Sequence, residues 1–184
     1  MPRQKSWKKI NSKIVHRNPW YRIRRDKVIR PSGRTGDYYV VETNGPSIFV
    51  VALNAKDEVC LVRLHRYPTD CLSLEIPGGN SDGEDLLAAA KRELREETGY
   101  RAKKWQKAGS WQCMNGVTNE FCHVFIAREL SGEGVHEDHD EGIAEILFLP
   151  FHKVLNRMTK GLITDGQSIT GLILAAMRAG FLRA

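Results

Sequence analysis

The sequence predicts an α/β fold in which a mixed sheet lies between helical layers, with a β-hairpin ahead of it. Three observations carry that prediction. Short apolar runs bounded by turn residues come first, a strongly helical segment from Glu84 to Thr98 interrupts them, and helical patterns close the chain. With 184 residues, 41% of them hydrophobic, the chain is expected to form one globular unit with a real core and a small extension.

The elements follow in order. Residues 1–18 read as a polar, basic arm. From Trp20 to Ile29, Tyr21, Ile23 and Arg25 alternate with Arg22, Arg24 and Asp26 as in a strand, Pro31-Ser32-Gly33 is a turn, and Tyr38 to Glu42 returns. Residues 19–45 are thus expected to form the hairpin, and residues 46–184 the main domain. There, Ile48 to Leu53 is a continuous apolar run, followed by a polar turn at Asn54 to Asp57 and a strand from Glu58 to Leu64. Leu72 to Ile76 is a short strand that ends in Pro77-Gly78-Gly79. The helix of Glu84 to Thr98 stops at Gly99, whose lack of a Cβ suits the left-handed C′ position. Trp105 to Cys113 and Glu120 to Ala127 read as strands joined around Asn115-Gly116, and Ser131 to Glu141 as a loop too polar to pack. Ile143 to Leu149 is a strand, Phe151 to Met158 a short helix and Ser168 to Ala179 the terminal helix.

The net charge of +6 is unevenly placed. Residues 1–35 hold 12 of the 28 Lys and Arg against the single acid Asp26, which leaves 16 basic and 21 acidic residues for the rest. A mildly acidic body that binds a polyanion needs divalent cations as intermediaries, while the basic arm fits a solvated tail, a dimer contact or an anion-binding strand. No stretch approaches the roughly eighteen apolar residues of a membrane span, and Met1 to Asn18 lacks the apolar core of a secretory signal. A cytoplasmic protein is expected. Cys60, Cys71, Cys113 and Cys122 show no CxxC spacing and read as free thiols.

The informative segment runs from Gly78 to Tyr100. At 100° per residue, Glu93, Glu96 and Glu97 fall at about 0°, −60° and +40°, so three carboxylates share one helix face. They repel one another unless neutralised, and all-oxygen ligands suit hard cations such as Mg²⁺ or Mn²⁺. A glutamate-rich helix is more often a solvated face, and the bare triplet alone does not distinguish the two readings. The surrounding residues do. Gly78, Glu84, Arg92, Glu93, Leu94, Glu96, Glu97, Gly99 and Tyr100 match the Nudix box, Gly-x5-Glu-x7-Arg-Glu-apolar-x-Glu-Glu-x-Gly-apolar, a coincidence with probability on the order of 10⁻⁷ at average residue frequencies.

The chain therefore resembles the Nudix hydrolases, and the resemblance implies an α/β/α sandwich in which the box glutamates bind the cations that contact substrate phosphates. Carried over, Glu93 and Glu97 are principal metal ligands and Glu96 a ligand or close partner. Arg92 is structural, and Glu84 braces the helix or reaches metal through water. A backbone carbonyl that completes the metal shell falls to Gly78, with Pro77 as the alternative. Relatives often space the double glycine one residue further from the first glutamate, so either Gly78 or Gly79 is the box glycine. Pro19-Trp20-Tyr21, Asp37-Tyr38-Tyr39, His65-Arg66-Tyr67 and Leu74-Glu75-Ile76-Pro77-Gly78-Gly79 resemble the branch that hydrolyses ADP-ribose and related nucleoside diphosphate sugars to a nucleoside monophosphate and a sugar phosphate. In that branch the N-terminal hairpin joins a partner subunit, which implies a homodimer. Trp20 is the candidate for stacking on the base, with plain packing as the alternative. Arg66 and Glu75 are candidate substrate contacts. A further carboxylate, on a loop before a late strand, takes the proton of the attacking water. Glu141 is the first choice, and Glu137 and Asp138 follow.

ADP-ribose hydrolases of this branch commonly place a proline about sixteen residues beyond the last box glycine. Here Asn115 stands there, and without the fixed φ of proline a broader choice of sugar is expected, GDP-mannose among them. An RNA 5′-end or cap hydrolase would use the basic arm, but nothing in it interleaves aromatic and basic residues beyond Trp7, so nucleic acid is not the expected partner. A non-catalytic nucleotide-sugar sensor would tolerate loss of box glutamates, and every one is present.

Overall fold

The computed structural model describes residues 6–135 and 142–182. By their contacts they divide into two compact units, one of residues up to Gly45 with Gln112–Glu120, the other of Pro46–Trp111 with Phe121 onward.

The first unit is an antiparallel sheet in the order β1 (Lys8–Arg17), β2 (Tyr21–Ile29), β3 (Thr35–Thr43). The basic segment set apart as an arm is thus largely the strand β1, and the hairpin gains a third member. Its ten residues are all exposed, so pairing depends on backbone hydrogen bonds and leaves no apolar alternation to read. The Asn18 side chain makes the first turn by accepting the amides of Trp20 and Tyr21 at 2.9 and 2.8 Å. Gly33, at φ +86°, makes the second. On one face Arg24 joins the buried carboxylates Asp26 and Glu42, and Ser12 also donates to Asp26. Burial alone raises the Asp26 carboxyl, but the hydrogen bonds and charge of Arg24, with the Ser12 hydrogen bond, outweigh it and hold the group below its ordinary value. The loop 112–120 is part of this unit: Tyr38 Oη donates to the Gly116 carbonyl at 2.7 Å and the Val41 amide to Val117 at 2.9 Å.

The second unit holds β4 (Ser47–Ala52), β5 (Glu58–Arg66), β6 (Cys71–Glu75), β7 (Gly78–Asn80), α1 (Leu86–Thr98), β8 (Arg101–Gln112), β9 (Phe121–Ser131), β10 (Ile143–Pro150), α2 (Phe151–Thr159) and α3 (Gly166–Ala179). The expected mixed sheet is present as β7-β4-β9-β8, with β4 and β9 parallel and β7 antiparallel to β4. A separate antiparallel sheet, β10-β5-β6, splits from it, because β4 and β5 meet only at the bridge Leu53↔Val59. Both faces of the mixed sheet are covered, which explains the continuous apolar run of β4. Ile48, Val50 and Ala52 pack with Phe125 and Ala127 under Ala89, Ala90 and Leu94 of α1. On the other face, Val51, Val124 and Ile126 pack with Leu172, Ala175 and Ala176 of α3 and Val154 of α2. The result is an α/β/α sandwich. Helix α1 begins at Leu86 rather than Glu84 because Asp85 caps it, accepting the amides of Leu87 and Ala88 at 3.0 and 3.1 Å. Gly99 ends it at φ +68°, where a Cβ would lie 2.2 Å from the Val135 carbonyl.

Candidate active site

Packing of α1 turns the box glutamates to different fates. Leu94 and Ala90 face the sheet, and the same stripe carries Glu93 and Glu97 inward, so these carboxylates are buried at 7% and 4% exposure. They lie against β7, whose glycines make room. The Gly78 amide donates to Glu97 Oε2 at 3.1 Å. A Cβ on Gly79 would stand 2.6 Å from Glu93 Oε1. The alternative carbonyl, that of Pro77, accepts the Val50 amide at 2.8 Å.

Arg92 gathers the remaining charge. Its guanidinium reaches Glu93 Oε1 and Glu96 Oε2 at 2.9 Å each and Glu84 Oε1 at 3.1 Å, and it donates to the Asn80 carbonyl at 2.9 Å. Burial works against its charge, but the Glu96 hydrogen bond and the charges of Glu93, Glu84 and Glu96 outweigh it and raise its pKa further. Glu96 also accepts from Arg95 at 3.0 Å. Glu93 and Glu97 thus both lie at the glycine strand, and Arg92 Nη1 bridges Glu93 to Glu96, which Arg95 also holds. Among the described residues, no group of three or more His, Cys, Asp or Glu side chains stands in metal-holding geometry. Next to Glu97, the buried thiol of Cys60 is pushed up to about 12 by burial and then by the Glu97 charge.

Of the other predicted site residues, Arg66 and Glu75 form a bidentate pair at 3.0 and 2.7 Å. Burial raises the Glu75 carboxyl, yet the hydrogen bonds from Arg66 and Ser73 outweigh it and leave it below its ordinary value. Trp20 belongs to the N-terminal unit, where it is 74% exposed. Glu137, Asp138 and Glu141 lie outside the described residues. Sequence reasoning missed the Asn80 carbonyl as a partner of Arg92 and Cys60 as a neighbour of Glu97. Both are set by strand pairing and packing and leave no mark in the motif.

Residues 43–167 match the NUDIX domain. The chain belongs to the Nudix family. Ahead of that domain, residues 7–41 match the Nucleoside diphosphate sugar hydrolase N-terminal domain. The ADP-ribose pyrophosphatase of Mycobacterium tuberculosis is 30% identical to this Nudix chain over 176 residues, 94% of this chain and 84% of its own. The GDP-mannose pyrophosphatase of Klebsiella pneumoniae is 32% identical over 126 residues, 62% of each. A crystal structure of an ADP compounds hydrolase shares the fold at a TM-score of 0.86, covering 100% of both chains at 19% identity.

Nudix hydrolases use divalent cations, and the donor set fits one. Glu93 and Glu97 supply hard carboxylate oxygens from a rigid helix onto a strand whose Gly78 and Gly79 carry no side chains, and Glu96 is linked to Glu93 through Arg92. No helix among the described residues is long and apolar enough to cross a membrane.

Proposed function

We propose that the protein hydrolyses the diphosphate linkage of nucleoside diphosphate sugars in the presence of Mg²⁺, with Mn²⁺ able to substitute, and releases a nucleoside monophosphate and a sugar phosphate. The observation that carries this reading is the pair of buried carboxylates, Glu93 and Glu97, seated on the Gly78-Gly79 strand inside a complete Nudix box. ADP-ribose is the leading substrate, supported by the similarity to ADP-ribose pyrophosphatases. GDP-mannose is the second, supported by the similarity to GDP-mannose pyrophosphatases and by Asn115 in place of a proline.

A divalent cation at Glu93, Glu97 and Glu96, with the Gly78 carbonyl, would neutralise the diphosphate and favour attack by water. The protein's own part is positioning. Arg92 holds Glu93 and Glu96 on one side of the helix, and the Gly78 amide fixes the Glu97 carboxylate. Glu141, or else Glu137, takes the proton of the attacking water in this reading, and Trp20 stacks on the base. It further includes a cytoplasmic homodimer joined through the N-terminal hairpin of residues 19–45.

The test is hydrolysis of ADP-ribose, ADP-glucose, GDP-mannose and UDP-glucose in Mg²⁺, with products identified, for the wild type and Glu97→Gln. Activity on nucleotide sugars that disappears in EDTA and falls by more than about a hundredfold in a folded Glu97→Gln protein is expected. Equal turnover in EDTA, or an undiminished variant, would overturn the assignment.

A further inference from the structure

Along β9, Val124 and Ile126 face α3 while Phe125 and Ala127 face α1. The same alternation carries one polar residue, His123, to the α1 side. Residues in register on neighbouring strands share a face, and Ile48 is in register with His123 on one side and with Gly79 on the other. The row Gly79, Ile48, His123 therefore has the Glu93 carboxylate at one end and an imidazole at the other, two strand spacings or about 9.6 Å along. Ile48, fully buried, lies between.

The imidazole is unusual. Its Nδ1 is buried with no hydrogen-bond partner among the described residues, although the residue as a whole is only half-buried. Burial, and then the charge of Lys107 on β8, hold it below the ordinary histidine value, so the ring is neutral at pH 7. A neutral imidazole carries one proton. On Nδ1 that proton would be a buried donor with nothing to accept it, whereas on Nε2 it meets solvent or a ligand. The ring thus presents an Nε2–H donor beside an exposed lysine, about a diphosphate's reach from the buried glutamates.

We propose that His123 is a substrate-contacting residue whose Nε2–H donates to an oxygen of the moiety that extends from the diphosphate, the nucleoside or the sugar. This rests on the reaction proposed above. Gln places a donor where Nε2 stands and Asn does not. His123→Gln is therefore expected to keep KM within about threefold of wild type, while His123→Asn raises it about tenfold, the loss of one hydrogen bond, with kcat within about twofold in both. Equal KM in the two variants, or a fall in kcat at unchanged KM, overturns the proposal. A second readout does not depend on turnover. In EDTA, nitrogen-15 NMR of the wild type should show His123 protonated at Nε2, and that signal should shift on titration with AMP or with ribose 5-phosphate, the one that shifts it identifying the end bound. A protonated Nδ1, or no shift with either compound, overturns the role of His123 even if nucleotide sugars are hydrolysed. An inactive wild type whose Nε2 signal still shifts overturns the proposed reaction and leaves the contact standing.

Discussion

Replacing each of the two box glycines by alanine should separate catalysis from stability. The three heavy atoms nearest a Cβ on Gly79 all belong to the Glu93 carboxylate, at 2.6, 2.7 and 2.9 Å for Oε1, Cδ and Oε2, where ordinary contact begins near 3.4 Å. The carboxylate must retreat by about 0.8 Å, and it can, because it is the far end of a flexible side chain. A Cβ on Gly78 would lie 2.4 Å from the Ile48 carbonyl and 3.0 Å from the Phe49 Cα, both backbone atoms of a buried strand. That contact has no comparable relief. Gly79→Ala is expected to change unfolding free energy by less than about 1 kcal/mol yet to lower kcat tenfold to a hundredfold, the usual consequence of moving a catalytic group by most of an ångström. Gly78→Ala should lose about 1–3 kcal/mol of stability. Urea denaturation of each variant and initial rates on ADP-ribose in Mg²⁺ supply both axes. A Gly79→Ala enzyme with wild-type kcat, or one destabilised as much as Gly78→Ala, would refute the claim that this glycine serves the position of Glu93.

Three further outcomes are expected. Glu141→Gln should lower kcat more than it changes KM, since proton removal belongs to the transition state; if it is normal, scanning Glu137, Asp138 and Asp140 should find the residue, and a scan without effect would remove the protein base. Glu75 has a folded-state pKa held below its ordinary value of 4.5, so its pairing stabilises the fold above that value and the contribution is lost as pH falls through the depressed one. Arg66→Met should therefore cost about 1 kcal/mol at pH 7, limited by the half-exposed arginine, with the gap to wild type closing in acid; a gap that widens there would contradict the pairing. Cys71 is exposed whereas Cys60 is buried with its thiol pushed up to about 12, so a thiol-specific reagent on the native protein should label Cys71 well before Cys60, and mass spectrometry showing the reverse order would dispute the packing beneath Glu97.

The helix was legible because its signals are local. Asp85 caps it with its own side chain and Gly99 ends it through its backbone, and Glu93 and Glu97 share a face by helical periodicity alone. The strands β4, β5, β6 and β10 were legible as apolar runs between turns. What the pattern hid depends on distant partners. β1 buries no side chain, so only its backbone pairing with β2 reveals it as a strand. β7, read from Pro77-Gly78-Gly79 only as the end of the strand before it, is a strand of its own because β4 offers it an edge. At the site, the spacing that brings Glu96 to the shared face says nothing of Arg92, whose Nη1 bridges it to Glu93, or of Arg95, which also donates to it. His123 stood in plain view as a polar residue inside an apolar strand, but its orphaned Nδ1 appears only once the strand is packed.

The return of residues 112–120 to the N-terminal sheet bears on how the chain is assembled. During synthesis the three strands emerge earlier than residues 112–120, and the carbonyls of Gly116 and Val117 that receive the Tyr38 hydroxyl and the Val41 amide arrive only after the glutamate helix and β8 have been made. The N-terminal sheet cannot reach its final form ahead of that part of the chain, which inverts the usual order in which early segments fold first. A nascent chain stalled with residues 112–120 still inside the ribosomal tunnel should therefore display a protease-sensitive sheet, and a longer one in which they have emerged should protect it.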